Sequence, residues 1–363
     1  MTLEFLLIAA AAFAVALITV PLTSRLAVRH GVVVRPRQDR WSRQVVPILG
    51  GLAVAAAVVS VAWLILDDGP TLIAWLVCLV GLSAIGLMDD LSGIRPRYRL
   101  LAEALLGSGF AVVVFDGIGP LPRFAAGLVG MVVVPILTNA TNLVDNTDGL
   151  AASLSAETAL AISFSAAVAG MKGNEAALAL ALAGACLGFL VHNLPPARVF
   201  MGDAGSLMIG FAIAGAAMLL VHDAMIHPSV SATAAALALP ATCLLQLGDV
   251  AMVSVTRIRR GVSPFVGGTD HTSHRLVRAG LGSWGMLGTL TAASGACGVV
   301  AIFLAWRAPQ PIVTVAVVVL AGVAVLAFEA LVAVRFPFGE ETPAESASPL
   351  LQTSIADGEG VLS

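Results

Sequence analysis

The sequence is poor in charged residues. Only 11% of its 363 residues are Asp, Glu, Lys or Arg, against roughly a quarter in an ordinary soluble protein. A soluble fold covers its outside with polar side chains, and this chain has too few of them to do so. The composition therefore excludes a soluble enzyme and a disordered protein. A net charge of −3 also argues against a protein that binds nucleic acid.

Cysteine is equally scarce. The four cysteines fall in four different apolar runs, and their spacing fits neither a disulfide framework nor a set of metal ligands. The sequence therefore predicts that they are packing residues. They are Cys78, Cys186, Cys243 and Cys297.

Long apolar runs dominate the chain. Hydrophobic residues make up 58% of it, and its mean hydropathy is +0.97. A membrane-spanning helix needs about 20 mostly apolar residues, and eleven runs approach that length. We therefore expect an all-α, polytopic integral membrane protein with about ten or eleven transmembrane helices in a single domain, residues 1–336. The polar tail, residues 337–363, has too little apolar content to fold and is predicted to be disordered. The predicted spans are 3–24, 48–66, 70–87, 100–115, 123–139, 153–169, 174–192, 205–222, 233–256, 284–306 and 311–334.

The basic residues predict the orientation of these spans. If the N-terminus lies outside, sixteen of the 19 Lys and Arg residues fall in cytoplasmic segments, and only Arg123, Lys172 and Arg307 lie on the other side. Positive charge is enriched in the cytoplasmic loops of membrane proteins. The sequence thus predicts a protein of the plasma membrane whose catalytic loops face the cytoplasm.

Four polar clusters share this predicted cytoplasmic face. Mg²⁺ takes carboxylate oxygens and substrate phosphates as ligands, and Arg makes bidentate contacts with phosphate. Together the clusters indicate metal-assisted phosphoryl chemistry on a lipid phosphate. They are Asp89 and Asp90 with Arg95, Arg97 and Arg99; Asn139, Asn142, Asp145 and Asp148; His192, Asn193, Arg198, Asp203 and Ser206; and Arg257, Arg259, Arg260, Asp270, His271, His274 and Arg275.

Each cluster, taken alone, also fits a solvated loop or a topology anchor. The residues Asn142, Asp145 and Asp148 are three apart and would share one face of a helix, but Gly149 makes a helix end or a loop equally compatible. Carboxylates inside the predicted spans are either cavity-facing polar residues or members of a proton relay. These carboxylates are Glu103, Glu157, Asp249 and Glu329.

The motifs resemble those of the polyprenyl-phosphate N-acetylhexosamine-1-phosphate transferases, which form glycosyltransferase family 4. The similarity runs from about residue 34 to 283, and the branch that uses UDP-GlcNAc and undecaprenyl or decaprenyl phosphate fits best. The matching segments are Pro47 with Gly50–Gly51, Asp89–Asp90, NATNLVDNTDGLA, PPARVFMGDAGSL and HTSHRL. The chain departs from the family pattern at Val34 and Ser42, where many members have Asp and His, at Arg99, where Lys is common, and at Ser273, which replaces a His.

The resemblance implies an Mg²⁺-dependent enzyme, with Mn²⁺ as a substitute, that moves a sugar 1-phosphate from a UDP-sugar to a polyprenyl phosphate and releases UMP. It also implies residue roles and is compatible with a homodimer. Whether Asp89 or Asp90 acts as a base or only positions the lipid phosphate stays open, because a phosphate monoester has a second pKa of about 6 and is largely ionised already. The implied roles are catalytic for Asp89, Asp90 and Asp145; metal-binding for Asn142 and Asp203; and substrate-binding for Asn139, Asp148, Arg99, Arg198, Arg260, His271, His274 and Arg275.

Three other functions compete with this one. Within the family, the muramoyl-pentapeptide transferases of peptidoglycan synthesis typically have Met-Gly-Gly in the first loop and three consecutive His in the last, whereas this chain has Leu49-Gly50-Gly51 and His271-Thr272-Ser273-His274. An intramembrane aromatic prenyltransferase would have Asp-rich motifs but no Gly-Asp-x-Gly-Ser segment. A lipid flippase would need no cluster of metal-binding character.

Overall fold

A computed structural model describes residues 3–34, 45–65, 69–118, 120–171, 173–226, 232–263, 268–307 and 311–336. The predicted disordered tail and the departure at Ser42 lie outside the described residues. Thirteen α-helices, one five-residue π-helix (Val277–Leu281) and one pair of two-residue strands form the regular structure of this part of the chain, so the all-α prediction is confirmed. The helices are α1 (Leu3–Arg29), α2 (Gly50–Ile65), α3 (Pro70–Ser92), α4 (Pro96–Val114), α5 (Pro120–Val144), α6 (Leu150–Val168), α7 (Asn174–Asn193), α8 (Asp203–Ile226), α9 (Ala232–Thr242), α10 (Leu244–Arg259), α11 (Thr272–Leu276), α12 (Gly282–Arg307) and α13 (Pro311–Arg335).

All eleven predicted apolar runs fall on helices, but fewer of them meet a strict test for a span. In the described part of the chain, eight helical segments are long and apolar enough to cross a membrane, or nine if the pair α9 and α10, bent by 59°, counts as one span. Helix α2 has only 16 residues, and α4 carries Arg97, Arg99 and Glu103. The count is therefore below the ten or eleven expected, although the protein is polytopic as predicted.

Helices α6, α7 and α8 form the centre of the bundle. In the most apolar stretch of α8, 94% of the residues are buried, against 11% in α13. These central helices are rich in Ala, Gly and Ser, which allow helix backbones to approach closely within a membrane. A Cβ added to Gly184 of α7 would lie only 2.1 Å from the carbonyl oxygen of Ala9 in α1. All four cysteines are buried and unpaired, in agreement with a packing role.

The polar helix ends meet at one end of the bundle. Strands β1 (Val33–Val34) and β2 (Val46–Pro47) pair antiparallel there, and the loop after β2 lies against the start of α8. The amides of Gly50 and Gly51 donate to the carbonyl oxygens of Phe200 and Met201, at 3.1 and 2.9 Å. A Cβ on Gly51 would come within 2.3 Å of Gly205, so this Gly-Gly pair is needed for the close approach.

Candidate active site

The site is built around the guanidinium group of Arg99, near the start of α4. Its Nη1 donates to Asp89 Oδ2 at 2.8 Å and to Asp203 Oδ2 at 3.0 Å, and its Nη2 donates to Asn139 Oδ1 at 2.9 Å. One side chain thus brings together residues from three of the four predicted clusters. These residues lie at the end of α3, in the last turns of α5 and at the start of α8. Asp89 and Asp203, which are far apart in the sequence, therefore share one cation.

The two neighbouring aspartates have different surroundings. Asp89 Oδ1 accepts a hydrogen bond from the amide of Ile94 at 2.6 Å. Asp90 turns to the first turn of α8, where its Oδ1 accepts from the amide of Asp203 at 2.9 Å and its Oδ2 from that of Ala204 at 3.0 Å. Asp90 therefore caps the N-terminus of α8 from another helix, because amides in a first helical turn have no partner within their own helix. This interaction fixes the backbone that carries Asp203.

Glu103, one turn after Arg99 on α4, supports the cluster, and its role was not apparent from the sequence. Its side chain is completely buried. Its Oε2 accepts from Thr138 Oγ1 at 2.9 Å and from Asn139 Nδ2 at 2.6 Å, and its Oε1 lies 3.5 Å from Arg99 Nε. The only signal in the sequence was a carboxylate within an apolar run. The structure favours a structural support over a proton relay for this residue.

The predicted metal ligands Asn142 and Asp203 are adjacent. Asn142 Nδ2 donates to Asp203 Oδ1 at 2.7 Å and to Ser206 Oγ at 2.9 Å, while 30% of the Asp203 side chain is exposed. Among the described residues, no three His, Cys, Asp or Glu side chains form a group able to hold a metal ion. This donor set still fits Mg²⁺, which commonly uses one or two protein carboxylates and completes its shell with water and phosphate oxygens.

The segment after Asn142 is a turn and not a continuation of the helix. Helix α5 ends at Val144, and Gly149 has a φ of +76°, so Asp145 and Asp148 lie on the connection to α6. Asp148 Oδ2 accepts from the amide of Ala197 at 2.9 Å. Burial raises the pKa of Asp148, although the bond from Ala197 opposes this. Of the two alternatives left open by the sequence, the loop is therefore observed.

The predicted substrate residues of the last motif are buried. The exposed fractions of His271, His274 and Arg275 are 2%, 5% and 3%. His271 Nδ1 lies 2.7 Å from Asp249 Oδ2. The Arg275 guanidinium donates from Nε to the carbonyl of Asp270 and from Nη1 to two carbonyls at the end of α13. The substrate contacts of these residues stay a prediction, and the structure gives Arg275 the additional role of joining this loop to α13.

The remaining candidates, Arg198 and Arg260, are exposed. Arg198 lies on the connection between α7 and α8, and Arg260 lies at the end of α10. Neighbouring Arg257 is buried and donates to both carboxylate oxygens of Asp270, at 2.9 and 2.5 Å. Burial raises the pKa of Asp270, but the bonds from Arg257 outweigh this effect and hold that pKa below its usual value. The roles of Arg198 and Arg260 in substrate binding are not tested by these contacts.

Comparison with known proteins matches residues 72–221 to the model of glycosyl transferase family 4. The chain is 34% identical over 272 residues to a protein of Streptomyces coelicolor named as a glycosyltransferase; the alignment covers 74% of this chain and 63% of that protein. It is 33% identical over 288 residues to the decaprenyl-phosphate N-acetylglucosaminephosphotransferase of Mycolicibacterium smegmatis; the alignment covers 70% of this chain and 71% of that protein. A phospho-N-acetylmuramoyl-pentapeptide-transferase of Synechococcus is 36% identical over 247 residues; the alignment covers 60% of this chain and 67% of that protein.

Proposed function

Because the chain belongs to glycosyl transferase family 4, we propose that it transfers N-acetylglucosamine 1-phosphate from UDP-GlcNAc to a polyprenyl phosphate. An oxygen of the lipid phosphate attacks the β-phosphorus of the UDP-sugar, the bond from that phosphorus to the bridging oxygen breaks, and UMP leaves. The products are a polyprenyl-diphospho-sugar and UMP. We place the reaction at the cytoplasmic face of the plasma membrane, where sixteen of the 19 basic residues are predicted to lie.

The observation that carries this proposal is the meeting of Asp89, Arg99, Asn142 and Asp203 at one end of the bundle. The reaction has to bring two anionic phosphates together. Around Arg99, however, the carboxyl groups of Asp89, Asp203 and Glu103 outnumber the single guanidinium. A cluster with excess negative charge would repel both substrates unless another cation joined it.

We propose Mg²⁺ as that cation, with Asp203 and Asn142 as its protein ligands and Asp145 close by. Bound there with the diphosphate, Mg²⁺ would neutralise the charge that develops on the leaving UMP. Arg99 would then donate some of its hydrogen bonds to a substrate phosphate in place of the carboxylates, since a guanidinium group makes charge-assisted bonds with either. Asp145 and Asp148 would contribute at the nucleotide side.

The contacts of the double aspartate favour positioning over proton abstraction. Both oxygens of Asp90 accept backbone amides of α8, and both oxygens of Asp89 accept donors as well. Because the lipid phosphate has a second pKa of about 6, much of it is already nucleophilic at neutral pH. We therefore propose that neither aspartate is required as a base.

The test is UMP release by the purified protein, in detergent with Mg²⁺ and polyprenyl phosphate. We expect release with UDP-GlcNAc and none when the lipid phosphate is omitted. A preference for UDP-N-acetylmuramoyl-pentapeptide would instead establish the second candidate, whose relative aligns over 247 residues against 288 for the N-acetylglucosamine enzyme. Absence of UMP release with every UDP-sugar would refute the proposed reaction class.

A further inference from the structure

The turn that begins α11 is held by two carboxylates from inside the membrane-spanning region. Asp249 of α10 accepts the amide of Thr272 through its Oδ1, at 2.9 Å, and contacts the His271 ring through its Oδ2. Glu329 of α13 accepts the hydroxyl of Thr272. All four residues are buried. Two successive residues of the turn are thus fixed by acceptors from two different helices.

A cavity of about 10 Å³ borders this turn. Asp249, Thr272, Ser273 and Glu329 line that cavity together with apolar side chains from α5, α6, α10 and α12. Burying two carboxylates in a membrane protein is costly, and the bonds that they accept give each of them a partner.

The next residue transmits this restraint to the candidate active site. Ser273 Oγ donates to Asn146 Oδ1 at 2.7 Å, across 127 residues of sequence. The amide of Asn146 is bound on its other side too, because its Nδ2 donates to the carbonyl of Leu143 at the end of α5 at 2.7 Å. Asn146 lies between Asp145 and Asp148. Its side chain therefore connects the anchored turn to the segment proposed to receive the nucleotide.

We propose that Ser273 is a positioning residue: its hydroxyl, placed by Asp249 and Glu329 through His271 and Thr272, fixes Asn146 and so orders the 145–149 segment for nucleotide binding. This inference rests on the proposed function for its kinetic consequence, but not for its structural one. Ser273 need not touch the substrate. Its effect is to keep the segment in one conformation before the UDP-sugar arrives.

The first measurement is independent of activity. Hydrogen–deuterium exchange of the ligand-free protein should be faster in the 145–150 segment of Ser273→Ala than in wild type, and unchanged in α8. Ser273→Thr, which keeps the hydroxyl, should restore the slow exchange. Ser60→Ala is the matched control, because the Ser60 hydroxyl bonds only within α2 in the part of the chain described. Unchanged exchange in Ser273→Ala would overturn the inference, whether or not the protein releases UMP.

The second measurement is the kinetic response to the UDP-sugar. A neutral hydrogen bond contributes about 0.5–1.5 kcal/mol, which corresponds to a rise of about two- to twelvefold in KM. We expect this rise in Ser273→Ala with kcat nearly unchanged, because ordering of the segment contributes equally to substrate and transition-state binding. Asn146→Ala should have a similar effect, and the double variant should be no worse than either single one. Additive effects, or faster exchange with an unchanged KM, would overturn the positioning role.

The outcomes separate this inference from the proposed function. If wild type releases no UMP with any UDP-sugar, the proposed function fails, and the exchange measurement still decides whether Ser273 orders the 145–150 segment. If wild type is active and Ser273→Ala matches it in both exchange and KM, only the present inference fails.

Discussion

The contacts of Asp90 predict that its replacement damages the site through α8 and not through loss of a base. Its carboxylate accepts the amides of Asp203 and Ala204 at the start of that helix. Without these bonds, two donors in a partly buried first turn would lose their acceptor. The backbone that carries the Asp203 carboxylate would then be free to shift away from Asn142 and Arg99.

The size of the effect follows from the number of bonds lost. A hydrogen bond to a charged group contributes about 1.5–3 kcal/mol, and loss of an N-terminal cap costs about 0.5–2 kcal/mol. Asp90→Ala removes two bonds that cap a helix, so at the capping value for each bond we expect a loss of about 1–4 kcal/mol from the free energy of unfolding. Asp90→Asn keeps one acceptor oxygen and turns an NH₂ group toward the second amide, so about half of that loss is expected.

Two measurements test the capping role of Asp90: the melting temperature in detergent, and turnover as a function of pH. We expect the melting temperature to fall in the order wild type, Asp90→Asn, Asp90→Ala. Asp116→Asn is the matched control, because its ion pair with Arg123 is exposed and such pairs contribute little. Asp90→Asn should keep measurable turnover, which should rise with pH as more lipid phosphate loses its proton near pH 6. A wild-type melting temperature combined with no turnover at any pH would refute the capping role and establish Asp90 as a base.

Three further outcomes are expected. Asp203→Asn should lose nearly all turnover and bind Mn²⁺ more weakly in a spin-resonance titration without loss of fold; wild-type turnover at saturating Mg²⁺ would remove Asp203 from the metal site. Cysteines placed at Ser92 and Thr269 should react with an impermeant reagent only after the cells are permeabilised, against a low background because the native cysteines are buried; labelling of intact cells would refute the orientation. Arg257→Gln should cost about 3–5 kcal/mol by leaving Asp270 unpaired and buried. In wild type the Arg257 bonds hold the pKa of Asp270 below its usual value, and their loss leaves burial to raise that pKa. Protonation then relieves the unpaired charge at lower pH, so the fall in melting temperature should be larger at pH 8 than at pH 5.

The sequence was sufficient to locate the helices and to predict which loops meet, but not their contacts. Hydropathy alone places the apolar runs, but α2 is short and α4 begins with charged residues, so these two helices do not meet a strict test for a span. The clusters at 89–90, 139–148 and 203–206 could be grouped because their predicted loops share one face of the membrane. The pairing of Asp90 with the α8 amides was not predictable, because it depends on how α3 crosses α8.

The last motif shows a different limit of sequence reasoning. A loop with two His and an Arg after an apolar run suggests exposed groups that meet a substrate. In the structure these three side chains are buried, since the turn is drawn toward Asp249 and Glu329 in the neighbouring helices. His271 contacts Asp249, which is 22 residues away, and Arg275 donates to the carbonyl of Ala333, which is 58 residues away. Nothing in the local sequence pattern indicates these pairings.

Three of the four carboxylates in the predicted apolar runs support the polar end of the bundle. Glu103 holds Asn139 and lies beside Arg99, while Asp249 and Glu329 hold the turn that contacts Asn146. A lone carboxylate at this depth would be strongly destabilising, whereas an apolar side chain in its place would leave a loop amide, hydroxyl or guanidinium without an acceptor. The site needs polar loops in fixed positions above an apolar bundle. Carboxylates on the helices provide hydrogen-bond acceptors that fix these loops, and apolar side chains cannot do so.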